Sequence, residues 1–578
     1  MTMIDTWNRY VVWTAISYFL VTYLHQCSSA EPDLAYTFLL KRGPAIEVTI
    51  HFTGNSDGET NLQVAPEWGG IVNDGSDVND LTVLDANGQA VPLEQTAPTV
   101  WQVRHENGAR LTARYEIRPP GAREPNRNGN DYRTRFDANL FQAIGNLAIL
   151  MPQVFSENQN VYFQVSFRGF DEIGWRIVSS FGLGAGPFAF TSTCDKFLQS
   201  VLMAGNLDIQ ERWIGEHRIA VAVAGRVWSF ETDKLANWVE QIVRAERDFF
   251  SDHTDPWYLV TLTPLPASHP GSSSFGGTAV TNCFALYCTP NLNLDPASPD
   301  FQRTMILLAH EYFHNWNGIK IPTAGKDPST YWFSEGFTNY FARRVLFRAG
   351  LITAEQFLAD LNSALRAYES NEFKLATNAV IAESFWSNHN VRDLPYRRGD
   401  MLAVFLDEQI RTQSEGRQSL DDLIVDLFRN PIAEHPMTTE LLLDRISQFV
   451  DETVFDQIRQ VVVAGAEVPI PTAIAEPALT LKSAQARSYD PGFDLEKSRD
   501  SKIICGVRES SEAWLAGLRD GQTLQRYSLQ NGNGAPTAEV VVLIDGEAKK
   551  IEYTPLSAPQ EIRVYQFPSE SQNQSNGR

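Results

Sequence analysis

The chain has 578 residues, and a length of this order predicts about three to five folding units. Hydrophobic residues make up 43% and charged residues 20% of the chain, which is typical of a globular protein and argues against a disordered chain or a multi-span membrane protein. Acidic residues outnumber Lys and Arg by 70 to 48, giving a net charge of −22. Because such a charge repels phosphate backbones, we expect no nucleic-acid partner.

Residues 1–30 have the features of an export signal. Residues 10–24 carry no formal charge and follow Arg9, and as a helix they would span about 22 Å, less than the roughly 30 Å hydrocarbon core of a membrane. Ser28 and Ala30 are small residues at the positions expected before a cleavage site. We therefore expect an exported protein, periplasmic or secreted, with membrane anchoring through an uncleaved segment as the open alternative.

The next part of the chain, residues 31–228, has the pattern of an antiparallel β-rich domain. Apolar and polar residues alternate over 46–52, 111–117 and 161–165, as in strands with one buried face. We predict a β-sandwich-like N-terminal domain.

Helical spacing begins near residue 232 and defines a second, α-rich domain over 229–475. A Pro-containing stretch at 469–477 then predicts a linker, and 480–568 predicts a third domain of strands and a short helix. The fold class is therefore multidomain α+β. The helices expected in the second domain cover residues 299–317, 329–349, 353–369, 395–413 and 438–450.

Five cysteines are too few for a disulfide scaffold. Cys283 and Cys288 are close enough in sequence to form a bridge if the loop between them folds back. Two buried free thiols are the alternative.

The central motif of the chain is H-E-x-x-H, formed by His310, Glu311 and His314. Side chains four residues apart lie on one face of a helix, so the two imidazoles can bind a single Zn²⁺. Glu311 is turned about 100° from His310, which places its carboxylate beside the metal, where it can accept a proton from the attacking water. A chance match is expected only about 0.01 times in such a chain, so the motif predicts a metallopeptidase centre.

A catalytic zinc needs a third protein ligand and one open position. Glu335 follows His314 by 21 residues, and Pro322, Gly325 and Pro328 in the interval are suited to ending one helix and beginning another. If the second helix packs antiparallel to the first, Glu335 points toward the same metal. The alternative is a solvated helix carboxylate, which the aromatic residues around Glu335 disfavour because an acid in apolar surroundings needs a cation.

The motifs H-E-Y-F-H-N-W-N at 310–317 and W-F-S-E-G-F at 332–337 resemble those of the M61 glycyl aminopeptidase family, within the gluzincin zinc peptidases. The resemblance extends to the order of parts: a β-rich N-terminal domain, a thermolysin-like catalytic domain and a C-terminal PDZ domain. It implies a zinc site with three ligands and a general base, namely His310, His314 and Glu335 as ligands and Glu311 as the base.

The same resemblance implies a tyrosine that stabilises the transition state, shortly before a glycine-containing helix. The stretch L-P-Y-R-R-G-D-M-L contains Tyr396 at that position. Its phenol could donate a hydrogen bond to the oxyanion that develops on the attacked carbonyl. The alternative is a tyrosine that packs at the start of a helix.

The segment that lines the substrate departs from the family. The family typically reads G-G-L-E-H, and here Gly276, Gly277 and Thr278 are followed by Ala279. The glycines allow backbone to lie close to a peptide, so these three residues are the candidate substrate-binding residues. Ala279 cannot pair with a substrate ammonium group as the family's acid would, so either another carboxylate such as Glu383 takes this part, or the enzyme acts as an endopeptidase or releases dipeptides.

Residues 509–521 read E-S-S-E-A-W-L-A-G-L-R-D-G and resemble part of a PDZ domain. Such a domain would pair a peptide tail with an exposed strand edge, with the stretch from Gly492 to Asp494 as the best match to the loop that binds the tail's carboxylate. A rival hypothesis is a non-catalytic peptide-binding protein in which this module performs the function.

Overall fold

The structure is a computed structural model that describes residues 31–121, 132–156, 158–265, 275–323, 327–431, 436–530 and 536–568. The export signal predicted at residues 1–30 lies outside these ranges. Across the described ranges, no helix combines the length and the apolar character that crossing a membrane requires.

The chain forms two compact units, and each is assembled from separate stretches of sequence. The predicted domain boundaries stay predictions. The first unit comprises Met1–Ile209, Ala222–Val227 and Trp257–Thr289, and the second comprises Gln210–Val221, Trp228–Pro256 and Pro290–Arg578.

The first unit is rich in β-strands, as the alternating sequence predicts, and it also contains the short helices α1 (Gly145–Ala148) and α2 (Cys194–Leu198). Its strands are β1 Leu34–Leu40, β2 Ile46–Thr53, β3 Glu59–Gln63, β4 Glu67–Trp68, β5 Ile71–Val72, β6 Asn79–Leu84, β7 Leu93–Ala97, β8 Val100–Arg104, β9 Arg110–Ile117, β10 Arg135–Phe136, β11 Leu140–Ile144, β12 Met151–Pro152, β13 Val161–Arg168, β14 Arg176–Ser179, β15 Gly182–Leu183, β16 Phe188–Ser192 and β17 Val201–Gly205.

The largest sheet of this unit has six strands in the order β16-β13-β1-β2-β9-β6. Strand β2 pairs antiparallel with β1 and with β9, and β1 pairs parallel with β13. Every second residue of β2 from Ile46 to Phe52 is buried, because alternate side chains of a strand point to opposite faces. Two further sheets have the orders β10-β11-β17-β14-β15 and β12-β3-β8-β7.

Strands β18 (Leu207–Ile214) and β19 (His217–Ala224) cross the boundaries between the units. They precede β20 (Trp257–Pro264), β21 (Phe275–Val280) and β22 (Cys283–Cys288). Strand β22 pairs parallel with β20 and antiparallel with β21.

Cys283 and Cys288 are the first and last residues of β22, and both are buried free thiols. Five strand steps separate them by about 16 Å, which is far beyond the reach of a disulfide bridge. The alternative in which these two cysteines form a bridge is therefore wrong.

The second unit is mainly helical. It also contains the two-residue strands β23 (Asn317–Gly318) and β24 (Ile321–Pro322) and a 3₁₀ turn, Pro328–Thr330. Its helices are α3 Thr232–Phe250, α4 Pro299–Phe313, α5 Tyr331–Ser334, α6 Gly336–Arg348, α7 Ala354–Ser370, α8 Asn378–Ser384, α9 His389–Gln413, α10 Leu420–Arg429, α11 Thr439–Ile446, α12 Glu452–Ala464, α13 Leu495–Ser501 and α14 Glu512–Leu515.

Several predicted helices differ from those observed: those predicted over 299–317 and 438–450 end earlier, at Phe313 and Ile446, and two others differ in start or continuity. The helix predicted to start at residue 395 begins at His389, because the side chain of Asn388 accepts hydrogen bonds at the helix start, as an N-cap does. Pro395 consequently lies inside α9. The helix predicted over 329–349 is divided into α5 and α6, and Glu335 is the junction residue between them.

The last part of the second unit forms two three-stranded sheets, β25-β26-β30 and β27-β28-β29. Asn362 of α7 binds both the backbone N–H and the carbonyl of Tyr565, so the first of these sheets is fixed to the helices. The strands are β25 Ala473–Ile474, β26 Leu479–Ala486, β27 Thr523–Gln530, β28 Thr537–Ile544, β29 Glu547–Tyr553 and β30 Gln560–Gln566.

The PDZ fold predicted for residues 480–568 stays a prediction. Phe493 of the proposed carboxylate-binding loop is buried, and Asp494 caps α13 by accepting a hydrogen bond from the backbone N–H of Lys497. The chain directly after the loop therefore forms a helix, Leu495–Ser501. Backbone groups bonded within a helix are not available to pair with an extended peptide.

Candidate metal centre

The structure brings the side chains of His310, His314 and Glu335 together at one point in the second unit. The Nε2 atoms of the two histidines are 3.1 Å apart. The Oε2 atom of Glu335 is 3.2 Å from Nε2 of His310 and 3.6 Å from Nε2 of His314. The side chains of His310, His314 and Glu335 are 9%, 17% and 19% exposed, so the cluster is largely enclosed but not sealed from solvent.

These separations fit a single metal ion. Three ligand atoms at the Zn–N and Zn–O distances of about 2.0–2.1 Å, arranged tetrahedrally, lie about 3.3 Å from one another. The three observed distances between the ligand atoms scatter around that value. In the described part of the chain, this is the group of His, Cys, Asp or Glu side chains with the spacing to hold a metal.

The local sequence explains how the two histidines reach this point. Helix α4 begins at Pro299, and the Ser298 side chain caps it by accepting a hydrogen bond from the backbone N–H of Asp300. His310 lies in the last turn of α4, and His314 is the residue at its C-terminal cap. Four residues separate them, so they share one helix face.

Glu335 reaches the same point from the junction of two helices. Its backbone N–H donates to the carbonyl of Tyr331, and its own carbonyl accepts from the N–H of Asn339. Its φ and ψ of −99° and −48° interrupt the regular helix without breaking this hydrogen-bond pattern. The sequence prediction placed Glu335 on one continuous helix, whereas the observed bend between α5 and α6 lies at this residue.

The charges of the cluster depend on one another. Burial alone lowers the pKa of His314, but the carboxylate of Glu335 and its hydrogen bond outweigh this effect and raise the pKa to about 9. Burial alone would raise the pKa of Glu335, but the charge of His314 and the hydrogen bonds from both histidines hold it well below its usual range. Without a metal the cluster is thus an ion pair, and a divalent cation can take the place of the proton.

Two further predicted residues lie beside the cluster. The Glu311 carboxylate lies on α4 close enough to raise the pKa of both His314 and Tyr396, yet it is outside the group of converging ligand atoms. Tyr396 of α9 lies close enough to Glu335 and Glu311 for both carboxylates to act on its phenol. Burial, together with repulsion from Glu335 and Glu311, raises the pKa of Tyr396 well above its ordinary value, so its phenol stays a hydrogen-bond donor.

Tyr331 also lies near the cluster, one helical turn before Glu335, and the sequence motifs do not indicate it. Burial has the largest effect on the Tyr331 phenol, and together with the charges of Glu335 and Asp327 it raises the pKa to about 12. Its ring packs edge-on against Phe385, with 4.9 Å between ring centroids. The signal available in the sequence was the spacing of four residues from Glu335.

The C-terminal end of α4 and the segment that follows it are held by polar contacts to α3 and to the loop after α3. Arg247 donates a hydrogen bond through Nε to the phenol of Tyr312, at 2.8 Å. Trp316 donates through its indole N–H to Asp252, at 2.8 Å, and Lys320 forms an ion pair with the same carboxylate at 2.6 Å. These contacts fix the helix that carries both histidines.

The predicted substrate-binding residues Gly276, Gly277 and Thr278 lie on β21, which belongs to the first unit. The carbonyl of Gly277 accepts a hydrogen bond from the phenol of Tyr132 at 2.8 Å. A Cβ atom on Gly277 would overlap the ring of Phe284, so this position requires glycine for packing as well as for any approach of a peptide.

Comparison with known proteins bears on this site directly. Residues 303–390 match the family model of the M61 glycyl aminopeptidase. A leucine aminopeptidase 2 from Lodderomyces elongisporus is 30% identical over 129 residues, which are 22% of this chain and 17% of that protein. A leucine aminopeptidase 2 from Neosartorya fischeri is 27% identical over 177 residues, 28% of this chain and 25% of that protein. The matches thus span a quarter or less of these curated relatives.

Among solved structures, an aminopeptidase N family protein from Idiomarina loihiensis aligns over 92% of this chain and 98% of its own, with a TM-score of 0.66 and 16% identity. That likeness shows a shared multidomain fold. The matched family segment contains all three converging side chains and Glu311. The predicted resemblance to the M61 glycyl aminopeptidase family is therefore confirmed over residues 303–390.

Proposed function

We propose that this protein is a zinc-dependent metallopeptidase that hydrolyses peptide bonds, with the aminopeptidase action of its family as its first candidate activity. The observation that carries the proposal is the convergence of His310, His314 and Glu335 at separations that fit one zinc ion. Within the described residues the group has two nitrogen ligands and one carboxylate, which matches the three protein ligands of a catalytic zinc site, whereas a structural zinc site is closed by four.

The roles of the side chains follow from their placement. Zinc, when bound, supplies a Lewis acid that polarises the scissile carbonyl and increases the acidity of water. Glu311 accepts the proton of the attacking water and returns it to the leaving amine. Tyr396, a protonated phenol beside Glu335, donates a hydrogen bond to the oxyanion that develops on the carbonyl. His310, His314 and Glu335 hold the metal.

Metal removal tests this proposal. The purified full-length protein should cleave peptide substrates, lose that activity on treatment with a zinc chelator, and regain it when zinc is added back. Apoprotein that cleaves peptides at the original rate would contradict the proposal. A non-catalytic peptide-binding protein would show no cleavage in either state, and the M61 match at residues 303–390 weighs against that alternative.

Ala279 supports a second candidate, an endopeptidase or a dipeptide-releasing enzyme. Its methyl group cannot pair with a substrate ammonium group, and it lies on β21 opposite Phe284. Glu383 is exposed on α8 and is the alternative carboxylate that could pair with the substrate ammonium group. Comparing peptides with a free and an acetylated N-terminus separates the two candidates, because an aminopeptidase leaves the acetylated peptide intact.

We also propose that the protein is exported, and this rests on the sequence of residues 1–30 alone. Mass spectrometry of the mature N-terminus tests it, since cleavage after Ala30 would leave Glu31 as the first residue. A C-terminal module that captures peptide tails has less support, because α13 follows the proposed carboxylate-binding loop.

A further inference from the structure

Asn317 connects the two parts of the chain that carry the candidate zinc ligands. It lies three residues after His314, in the short strand β23, and is 0% exposed. Its backbone contacts one ligand, and its side chain contacts the segment around another. None of the roles assigned above uses it.

The backbone carbonyl of Asn317 lies 3.0 Å from Nδ1 of His314. A carbonyl oxygen only accepts hydrogen bonds, so Nδ1 of His314 carries the hydrogen. In a neutral imidazole the lone pair is then on Nε2, the atom that faces Glu335 and His310. The contact therefore selects the tautomer of His314 that can bind a metal.

Gly318 allows the chain to make this contact. Its φ of +132° lies in the range that favours glycine, and it turns the backbone immediately after Asn317. A Cβ at this position would lie 3.8 Å from Nδ1 of His314. The turn thus keeps the carbonyl of Asn317 directed back at the imidazole.

The side chain of Asn317 binds the other ligand segment. Its Nδ2 atom lies 3.1 Å from the carbonyl of Phe333 and 3.0 Å from Oγ1 of Thr338. The carbonyl of Ser334 lies 3.4 Å from the same Nδ2 atom, so the acceptors around it engage both hydrogens of the amide. The reverse orientation would place Oδ1 against a carbonyl oxygen, so the observed orientation is fixed, although Oδ1 itself meets no donor within the described residues.

Thr338 completes the link to the residue before Glu335. Its hydroxyl donates a hydrogen bond to the carbonyl of Ser334 at 2.6 Å while accepting the one from Asn317. Both Asn317 and Thr338 are fully buried, so water does not compete for these bonds. Asn317 therefore connects the imidazole of His314 to the backbone just before Glu335 and to the side chain of Thr338 just after it.

We propose that Asn317 is a positioning residue that holds His314 and the Glu335 junction at the separation a metal requires, and that it thereby sets the affinity of the site for zinc. This inference rests on the proposed zinc-dependent function. Outer partners of metal-ligating histidines typically change metal affinity about 10–100-fold when they are removed, and Asn317 serves two ligands at once.

The test measures the zinc dissociation constant of the full-length protein by competition with a chromophoric chelator. Asn317→Ala removes the amide, and Thr338→Val removes the linking hydroxyl while keeping the shape of the side chain. Thr338→Ser retains the hydroxyl. The matched control is Asn315→Ala, because Asn315 lies in the same loop and its amide binds the nearby carbonyl of Tyr312 rather than the Glu335 segment. The visible spectrum of the Co²⁺-substituted protein reports the ligand geometry independently of activity.

We expect Asn317→Ala and Thr338→Val to weaken zinc binding about 10–100-fold and to alter the Co²⁺ spectrum, while Asn315→Ala and Thr338→Ser keep both. Unchanged affinity and spectrum in either folded test variant would overturn the inference. If Asn317→Ala does not fold, Thr338→Val decides the outcome, since its volume is conserved. A parent protein that binds no zinc would instead contradict the proposed function itself.

Discussion

At the level of single residues, the proposed mechanism assigns metal binding and proton handling to different side chains. The ligand atoms of His310, His314 and Glu335 lie within 4.8 Å of one another. Glu311 and Tyr396 lie beside this cluster without belonging to it: the charge of Glu311 raises the pKa of His314, and the charges of Glu335 and Glu311 add to burial in raising the pKa of Tyr396. Substitutions of the second group should therefore reduce turnover without removing the metal.

Glu311→Gln should keep zinc and lose nearly all hydrolysis. The amide has the shape of the carboxylate but accepts no proton, so the loss of general-base catalysis should reduce kcat by about 10²–10⁴-fold. Steady-state kinetics together with metal analysis of the variant check this. The control is Glu452→Gln, which alters an exposed carboxylate at the start of α12. Substantial turnover in Glu311→Gln would show that another group is the base.

Tyr396→Phe should lower kcat by about 10²–10³-fold, the usual effect of removing one hydrogen-bond donor to an oxyanion. KM and zinc content should change little, because the phenol is needed mainly in the transition state. Tyr527→Phe, at an exposed position on β27, is the matched control. A rise in KM with an unchanged kcat would instead place Tyr396 in substrate binding.

At the level of elements, a close contact between two glycines sets where α9 lies. Gly399 of α9 lies against Gly336 at the start of α6, and a Cβ added to either would overlap backbone of the opposite segment. Tyr396 precedes Gly399 by three residues, nearly one helical turn, so the two share a face of α9. The glycine contact therefore controls the distance between Tyr396 and the Glu335 junction.

Gly399→Ala should push α9 away from the α5–α6 junction. Overpacking of this kind typically costs about 1–3 kcal/mol, and kcat should fall because Tyr396 moves with the helix. Denaturant unfolding and kinetics of the same preparation measure both effects. Gly43→Ala is the control, since an added Cβ there meets nothing within 4 Å. A variant as stable and active as the parent would show that the contact accommodates the added methyl group without moving α9.

Much of this site could be predicted from the sequence because its signals are local. The four-residue spacing of His310 and His314 and the aromatic surroundings of Glu335 are visible in the sequence itself. The bend at Glu335, the earlier start of α9 and the role of Asn317 could not be predicted, because each depends on contacts between segments distant in sequence. The state of Cys283 and Cys288 could not be predicted either, because it is the observed strand between them that excludes a disulfide bridge.

At the level of the whole molecule, the strand and helix patterns predicted a sheet-rich N-terminal part and a helical part, and both are present. The division into two units was not predictable from local patterns, because each unit combines stretches separated by many residues.

The buried interior also contains an acid that no local pattern reveals, Glu246 of α3. It is 0% exposed, and both of its carboxyl oxygens meet no hydrogen-bond partner within the described residues.

Burial raises the pKa of Glu246 well above its ordinary value of 4.5. Below that value Glu246 is protonated in both the folded and the unfolded state. As the pH rises above it, only the unfolded state releases the proton, so the free energy of unfolding falls by up to about 1.4 kcal/mol per pH unit until the folded pKa is reached. The contribution of a protonated Glu246 is thus full at low pH and is lost as the pH rises.

Glu246→Gln removes this titration, so the variant should gain stability relative to the parent as the pH rises from 5 to 8. Urea unfolding across that pH range measures the difference. Glu240→Gln is the control on the same helix, at a position only partly buried and paired with Arg244. A stability difference independent of pH would show that Glu246 does not titrate differently in the two states.

Anomalous diffraction at the zinc absorption edge, from crystals of the purified protein, tests the proposed zinc site directly. We expect one zinc ion per chain, at about 2.0–2.1 Å from Nε2 of His310 and His314 and at a similar distance from a carboxylate oxygen of Glu335. Zinc bound elsewhere, or a zinc-soaked crystal with no anomalous signal between these three side chains, would contradict it.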